Sequence, residues 1–145
     1  GLVERGPLKR SGTYPDAAAV AMRRIRGAAV PSVDEAVRGF LLGLKGLDGG
    51  LRANTVIPVS DLLSTFTGLW TLRETGGFDG LDVEKVRRFV TMMRHADGGF
   101  LAGIWDDVAD VEYTFYGVGA SALLSSSSSS DGGSAGSERS SGPTD

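Results

Sequence analysis

Asp48-Gly49-Gly50-Leu51 returns 49 residues later as Asp97-Gly98-Gly99-Phe100. A segment that recurs at such a spacing is one supersecondary unit stacked in copies, each burying its apolar face against the next. Residues 35–69 and 84–118 align without a gap and share 13 identities over 35 positions. The pairs include Glu35/Glu84, Val37/Val86, Arg38/Arg87, Phe40/Phe89, Asp61/Asp110, Thr65/Thr114, Phe66/Phe115 and Gly68/Gly117.

The unit reads as two helices around a glycine-bearing loop. Val33, Val37, Phe40, Leu41 and Leu44 share one helical face, as do Val83, Val86, Phe89, Val90 and Met93. Pro31, Ser32 and Glu35 predict a capping-box start for the first of these helices, and Asp82 an N-cap for the other. Each then runs into Asp-Gly-Gly, where glycine is expected to end the helix. The second helix of each unit starts near Asp61 or Asp110, and Leu62, Leu63, Phe66, Leu69 and Trp70 form a broad apolar stripe. A further helix is expected over 16–26, giving five in all (16–26, 32–46, 60–75, 82–95 and 110–124), with no sustained strand. The fold class is therefore all-α, built of helical hairpin repeats.

Three regions follow: a basic N-terminal segment with one helix (1–31), two repeats (32–124), and a Ser/Gly-rich tail (125–145) expected to be disordered. Arg23, Arg24 and Arg26 read as a solvated helix end facing the C-terminal dipole rather than a nucleic-acid patch. Residues 1–124 carry 14 basic and 15 acidic side chains, which argues against nucleic acid as a partner. The absence of cysteine excludes a disulfide scaffold, a thiol nucleophile and Cys-ligated zinc within these residues. No apolar run reaches the ~18 residues a transmembrane helix needs, and no signal-like stretch is seen, so a cytoplasmic protein is expected.

The stretch from Asp97-Gly98-Gly99-Phe100 through Asp110-Val111-Glu112-Tyr113-Thr114 to Gly117 resembles the repeat shared by protein prenyltransferases and squalene/terpene cyclases, DGGF followed by D-x-x-Y-T. The first unit keeps this skeleton with Ser64 in place of the tyrosine. The resemblance spans residues 32–124. It implies an α/α toroid whose inner helices line an apolar cavity for an isoprenoid or prenyl diphosphate, with transfer or cyclisation of an isoprenyl group as the activity. A helical partner subunit is implied by the heterodimeric transferases. Five helices make less than half of such a ring, so an incomplete ring is expected, self-associating or poorly cooperative when isolated. A non-catalytic helical-repeat scaffold without a metal site is the alternative.

Asp97, Asp106, Asp107, Asp110 and Glu112 crowd into residues 97–112 with no Lys or Arg between them. Three readings compete. Asp110-Val111-Glu112-Tyr113 resembles the transferase zinc motif D-x-C-Y, but Glu112 stands at the cysteine position and His95 is the sole histidine. Asp106-Asp107-Val108-Ala109-Asp110 matches the D-D-x-x-D string by which isoprenyl diphosphate synthases hold magnesium. In the third reading Asp61 and Asp110 cap their helices, which suits their repetition. Zinc and magnesium are thus the cofactors implied, with Asp110, Glu112, Asp106 and Asp107 as candidate ligands. Tyr113, Tyr116, Trp105 and Phe100 are the candidates for lining an isoprenoid cavity. They share an aromatic set with Trp70 and Phe115, whose competing role is packing between hairpins.

Overall fold

Asp61, Asp82 and Asp110 each begin a helix in the computed structural model, which describes residues 12–126. The three carboxylates accept the backbone N–H of Ser64, Lys85 and Tyr113, three residues on. The described residues are mostly helical, in keeping with the all-α class: α1 (Thr13–Ile25), α2 (Pro31–Leu42), α3 (Leu62–Glu74), α4 (Val83–Met92) and α5 (Val111–Ser125), with a 3-10 turn at Phe78–Gly80. Strands are two residues long, Leu51–Arg52 (β1) pairing antiparallel with Ser60–Asp61 (β2). Residues 1–11, and all of the expected tail after Ser126, lie outside the described residues. Ser125 itself closes α5 and Ser126 is its C-cap.

The predicted apolar faces form the core. Val37, Leu41 and Leu44 meet Val86, Phe89, Val90 and Met93 there, together with Leu51, Leu62, Leu69, Leu72, Phe100 and Leu124.

Two expected helix ends differ. Ser32 and Glu35 form no capping box: α2 starts one residue earlier, with Val30 extended at the N-cap and Pro31 inside the first turn. Proline presets the helical φ there, and its missing N–H is one the helix would leave unpaired anyway. Nor do α2 and α4 end at the Asp-Gly-Gly glycines. They stop at Gly43 and Met93, and the glycines close tight turns beyond them, bridging Lys45 to Leu51 and Arg94 to Phe100. The glycines that end helices in the left-handed conformation are Gly27 and Gly76, after α1 and α3, at φ of 63° and 73°. Each is followed by the same pair of backbone bonds, Gly27 N–H to Arg24 and Ala28 N–H to Arg23, then Gly76 N–H to Arg73 and Gly77 N–H to Leu72.

That last correspondence is offset by 49, and it extends the repeat to α1. Thr13–Ile25 and Leu62–Glu74 are displaced by 49 at both ends. The Thr13 N–H donates to the Ala53 carbonyl at 3.0 Å, and the Leu62 N–H donates to the Ala102 carbonyl at 2.8 Å. At the other end, Arg24 donates to the Glu74 carbonyl (2.6 Å) and Arg73 to the Leu123 carbonyl (3.0 Å). Like ends therefore meet like ends, and α1, α3 and α5 form a parallel row. Arg24 also pairs with Asp34 Oδ2 at 2.8 Å. It is thus a clamp tying α1 to α2 and α3, not the solvated terminus expected of it. Its guanidinium meets a helix C-terminus, where the dipole favours a cation.

Behind the row, the loop of each unit binds its own helix in the same way. Thr65 Oγ1 accepts the Leu51 N–H at 2.9 Å, and Thr114 Oγ1 accepts the Phe100 N–H at 3.2 Å. Gly68 lies against Leu51 and Gly117 against the Phe100 ring, so closely that a Cβ at either would collide with its neighbour. This is why glycine recurs there.

Candidate functional site

On α3, Phe66 packs against α5, the opposite side faces α1, and Thr65, Gly68 and Leu72 face the loop and outer helices, while Leu63, Phe66 and Trp70 remain half-exposed. On α5 the continuation is aromatic. Phe66 meets Tyr116 and Phe115 with ring centroids 5.6 and 5.7 Å apart, and Tyr113 meets Tyr116 at 5.8 Å. The pairings are edge-to-face or tilted, the arrangement that ring quadrupoles favour.

The polar atoms of this patch are phenols and carboxylates. The Tyr116 hydroxyl donates to Glu112 Oε1 at 3.0 Å. Burial raises both phenols above their ordinary range. The carboxylates Asp61, Glu112, Asp110 and Asp106 add to this at Tyr113, and the Glu112 hydrogen bond does so at Tyr116. The tyrosines therefore stay protonated at neutral pH. The neighbouring carboxylates give the patch an acidic surround.

The acidic run does not converge. Asp106 folds back on its own loop, with Oδ2 accepting the Ala102 N–H (3.2 Å) and Oδ1 the Val108 N–H (3.3 Å), bonds that lower its pKa. Asp110 is taken by its cap, Glu112 by Tyr116, and Asp107 is exposed. Among the described residues no three His, Asp or Glu side chains gather as a group able to hold a metal ion. His95 sits inside the second Asp-Gly-Gly turn, its Nδ1 accepting the Asp97 N–H at 3.2 Å.

Asp61 is the most constrained of the caps, because Ser64 gives it both its N–H (2.7 Å) and its hydroxyl (2.6 Å). Burial nonetheless raises its carboxyl above the ordinary range, with these bonds pulling the other way. The charged form is thus penalised in the folded state. That penalty is full at neutral pH and is relieved as pH falls through the raised pKa. Asp61→Ala is expected to cost about 1–2 kcal/mol at neutral pH through loss of the cap. Asp61→Asn can still accept from Ser64, carries no charge, and is expected to cost less than half as much. Urea midpoints at neutral and mildly acidic pH measure both effects; an Asn variant as unstable as the Ala variant would contradict this account of the cap.

Of the four expected cavity residues, the structure brings Tyr113 and Tyr116 together. Phe100 is a core residue packed on Gly117, with the Arg94 guanidinium 5.4 Å from its ring centroid. Trp105 lies exposed in the loop, folded over Gly103. Phe115, already a member of the aromatic set, and Phe66 complete the patch; pairing with Phe115 at the repeat offset was the available signal for Phe66. Tyr14, near enough to Tyr116 to influence its titration, had none. No helix among the described residues is long and apolar enough to cross a membrane. Neither the protein-family models nor the curated proteins searched contain a match to this chain.

Proposed function

We propose that the chain is an arc of a prenyltransferase-like α/α toroid that holds an isoprenoid chain against the aromatic patch of α3 and α5. The observation that carries this reading is the open cluster of Phe66, Tyr113, Phe115 and Tyr116 on parallel repeat helices. The twice-repeated DGG and D-x-x-S/Y-T pattern supports it from the sequence side. Aromatic faces also stabilise the cationic centres that develop when a prenyl group is transferred or cyclised. A non-catalytic repeat scaffold is the second reading, favoured by the engagement of Asp61, Asp106, Asp110 and Glu112 with their own chain.

Titration with farnesol and farnesyl diphosphate in metal-free buffer, followed by intrinsic fluorescence, separates the two. Saturable binding is expected, with the neutral prenol about tenfold or more tighter than the diphosphate because of the surrounding carboxylates. Phe66→Ala and Tyr116→Ala are expected to weaken it by a similar factor. Absence of saturable binding, or binding indifferent to both substitutions, would leave the scaffold.

A further inference from the structure

Among the described residues α5 is the last helix of the row, and its next contact face is exposed. At the repeat position of Val20 and Leu69, which are 1% and 0% exposed, α5 carries Val118 at 58%. At the position of Leu62, buried beside the next loop, it carries Val111, which is 86% exposed. Phe115 extends the same stripe, and Ile104, Trp105 and Val108 flank it in the adjoining loop, all exposed. The stripe that α1 and α3 each bury under the following helix is therefore bare on α5.

The opposite end of the row bears the matching surface. Ser64, Thr67 and Thr71 of α3 are buried on the side facing α1. Their repeat counterparts on α1 are Pro15, Ala18 and Met22, all exposed, continued by the exposed Ile25. Met22 is 58% exposed, whereas its counterparts Thr71 and Ala120 are completely buried. Residues 127–145 offer only Ala135 and Pro143 as apolar side chains, too little to cover the α5 stripe.

We propose that a second copy of this chain docks head to tail, its α1 seated on α5 as α3 seats on α1 and α5 on α3. Each end of the row then finds the face that the intrachain interfaces already use. Such a contact is heterologous, so it propagates into rings or short filaments rather than stopping at a two-fold dimer.

The test uses the full chain in sedimentation velocity over a concentration series up to about 100 μM. The wild type is expected to show species larger than a dimer. Val118→Asp on α5 and Met22→Asp on α1 each leave one face intact, and each alone is expected to self-associate about tenfold or more weakly. Mixed, they are expected to form a 1:1 dimer that grows no further, because only one pair of intact faces remains. Circular dichroism checks that both fold, and Val118→Ser with Met22→Ser replaces any variant that does not. A monomeric wild type, variants that associate like the wild type, or a mixture that fails to pair would each overturn the proposal.

Discussion

Phe89→Ala is expected to remove about 3–5 kcal/mol of stability, the range for a fully buried phenylalanine truncated to a methyl group. Phe89 has no exposed surface and is the largest fully buried side chain of the core. Its ring lies beneath Gly50 of the first Asp-Gly-Gly turn, so that a Cβ on Gly50 would come within 2.8 Å of it. The side chain thus ties α4 of the second unit to the loop of the first, and its loss opens a cavity between units. Domains of this size are typically stable by about 5–15 kcal/mol, so the variant is expected to be largely unfolded in mild urea. Phe40, its partner in the repeat, is only half-buried at the edge of the same core. Phe40→Ala is expected to cost less than half as much. Equal losses by urea titration would show that the two units bury their phenylalanines alike, contrary to this packing.

Gly49→Ala is expected to be far more damaging than the same change at its repeat counterpart, Gly98. Gly49 has φ of 96° and Gly98, its repeat counterpart, 101°, both in the left-handed region where a Cβ is strained. The two differ in surroundings. A Cβ at Gly49 would fall on the backbone carbonyl of Lys85 in α4, whereas a Cβ at Gly98 would meet nothing within 4 Å. Gly98→Ala is therefore expected to cost the conformational strain alone, about 1–2 kcal/mol. Gly49→Ala adds a collision with main chain that cannot rotate away, and about 3 kcal/mol or more is expected in total. The pair forms its own control, since the turn sequence is the same. Thermal or urea unfolding of both variants measures the difference, and matching losses would mean that α4 yields at Lys85.

These two experiments mark how far the repeat in the sequence extends into the structure. The offset of 49 located both Asp-Gly-Gly turns, both capping aspartates and both glycines that admit Leu51 and Phe100. Each of these is a local requirement that one residue type satisfies, and so it leaves a trace in the sequence. The third helix in phase left almost none. Of the whole of α1 and its turn, Arg24/Arg73 and Gly27/Gly76 are retained against α3 and its turn. What aligns α1 with its neighbours is bonding to main-chain carbonyls, from the Thr13 N–H to Ala53 and from the Arg24 guanidinium to Glu74, and a carbonyl acceptor places little demand on its own residue's identity.

The candidate site divides in the same way. Tyr113 and Tyr116 were recognisable from spacing, because residues three apart on a helix share a face. Phe100 was not separable from them, since an aromatic residue after Asp-Gly-Gly can point inward or outward, and it is the missing side chain of Gly117 that draws it into the core. The acidic run was legible as a concentration of charge but not as a set of directions. Backbone N–H groups at the helix starts and within the loop turn Asp106 and Asp110 to separate partners.

By itself, the sequence determined the helical class, the apolar faces and the repeat, and it marked Asp61, Asp82 and Asp110 as cap candidates. Periodicity, local hydrogen-bonding chemistry and conformational permission at glycine act over a few residues, and a chain cannot satisfy them without displaying them. Only the tertiary structure decided that α1 is a third member of the row, that the carboxylates diverge, and that, among the described residues, the outer stripes of α1 and α5 are exposed. Those outcomes depend on which surfaces meet, and burial between distant segments is set by their arrangement in space.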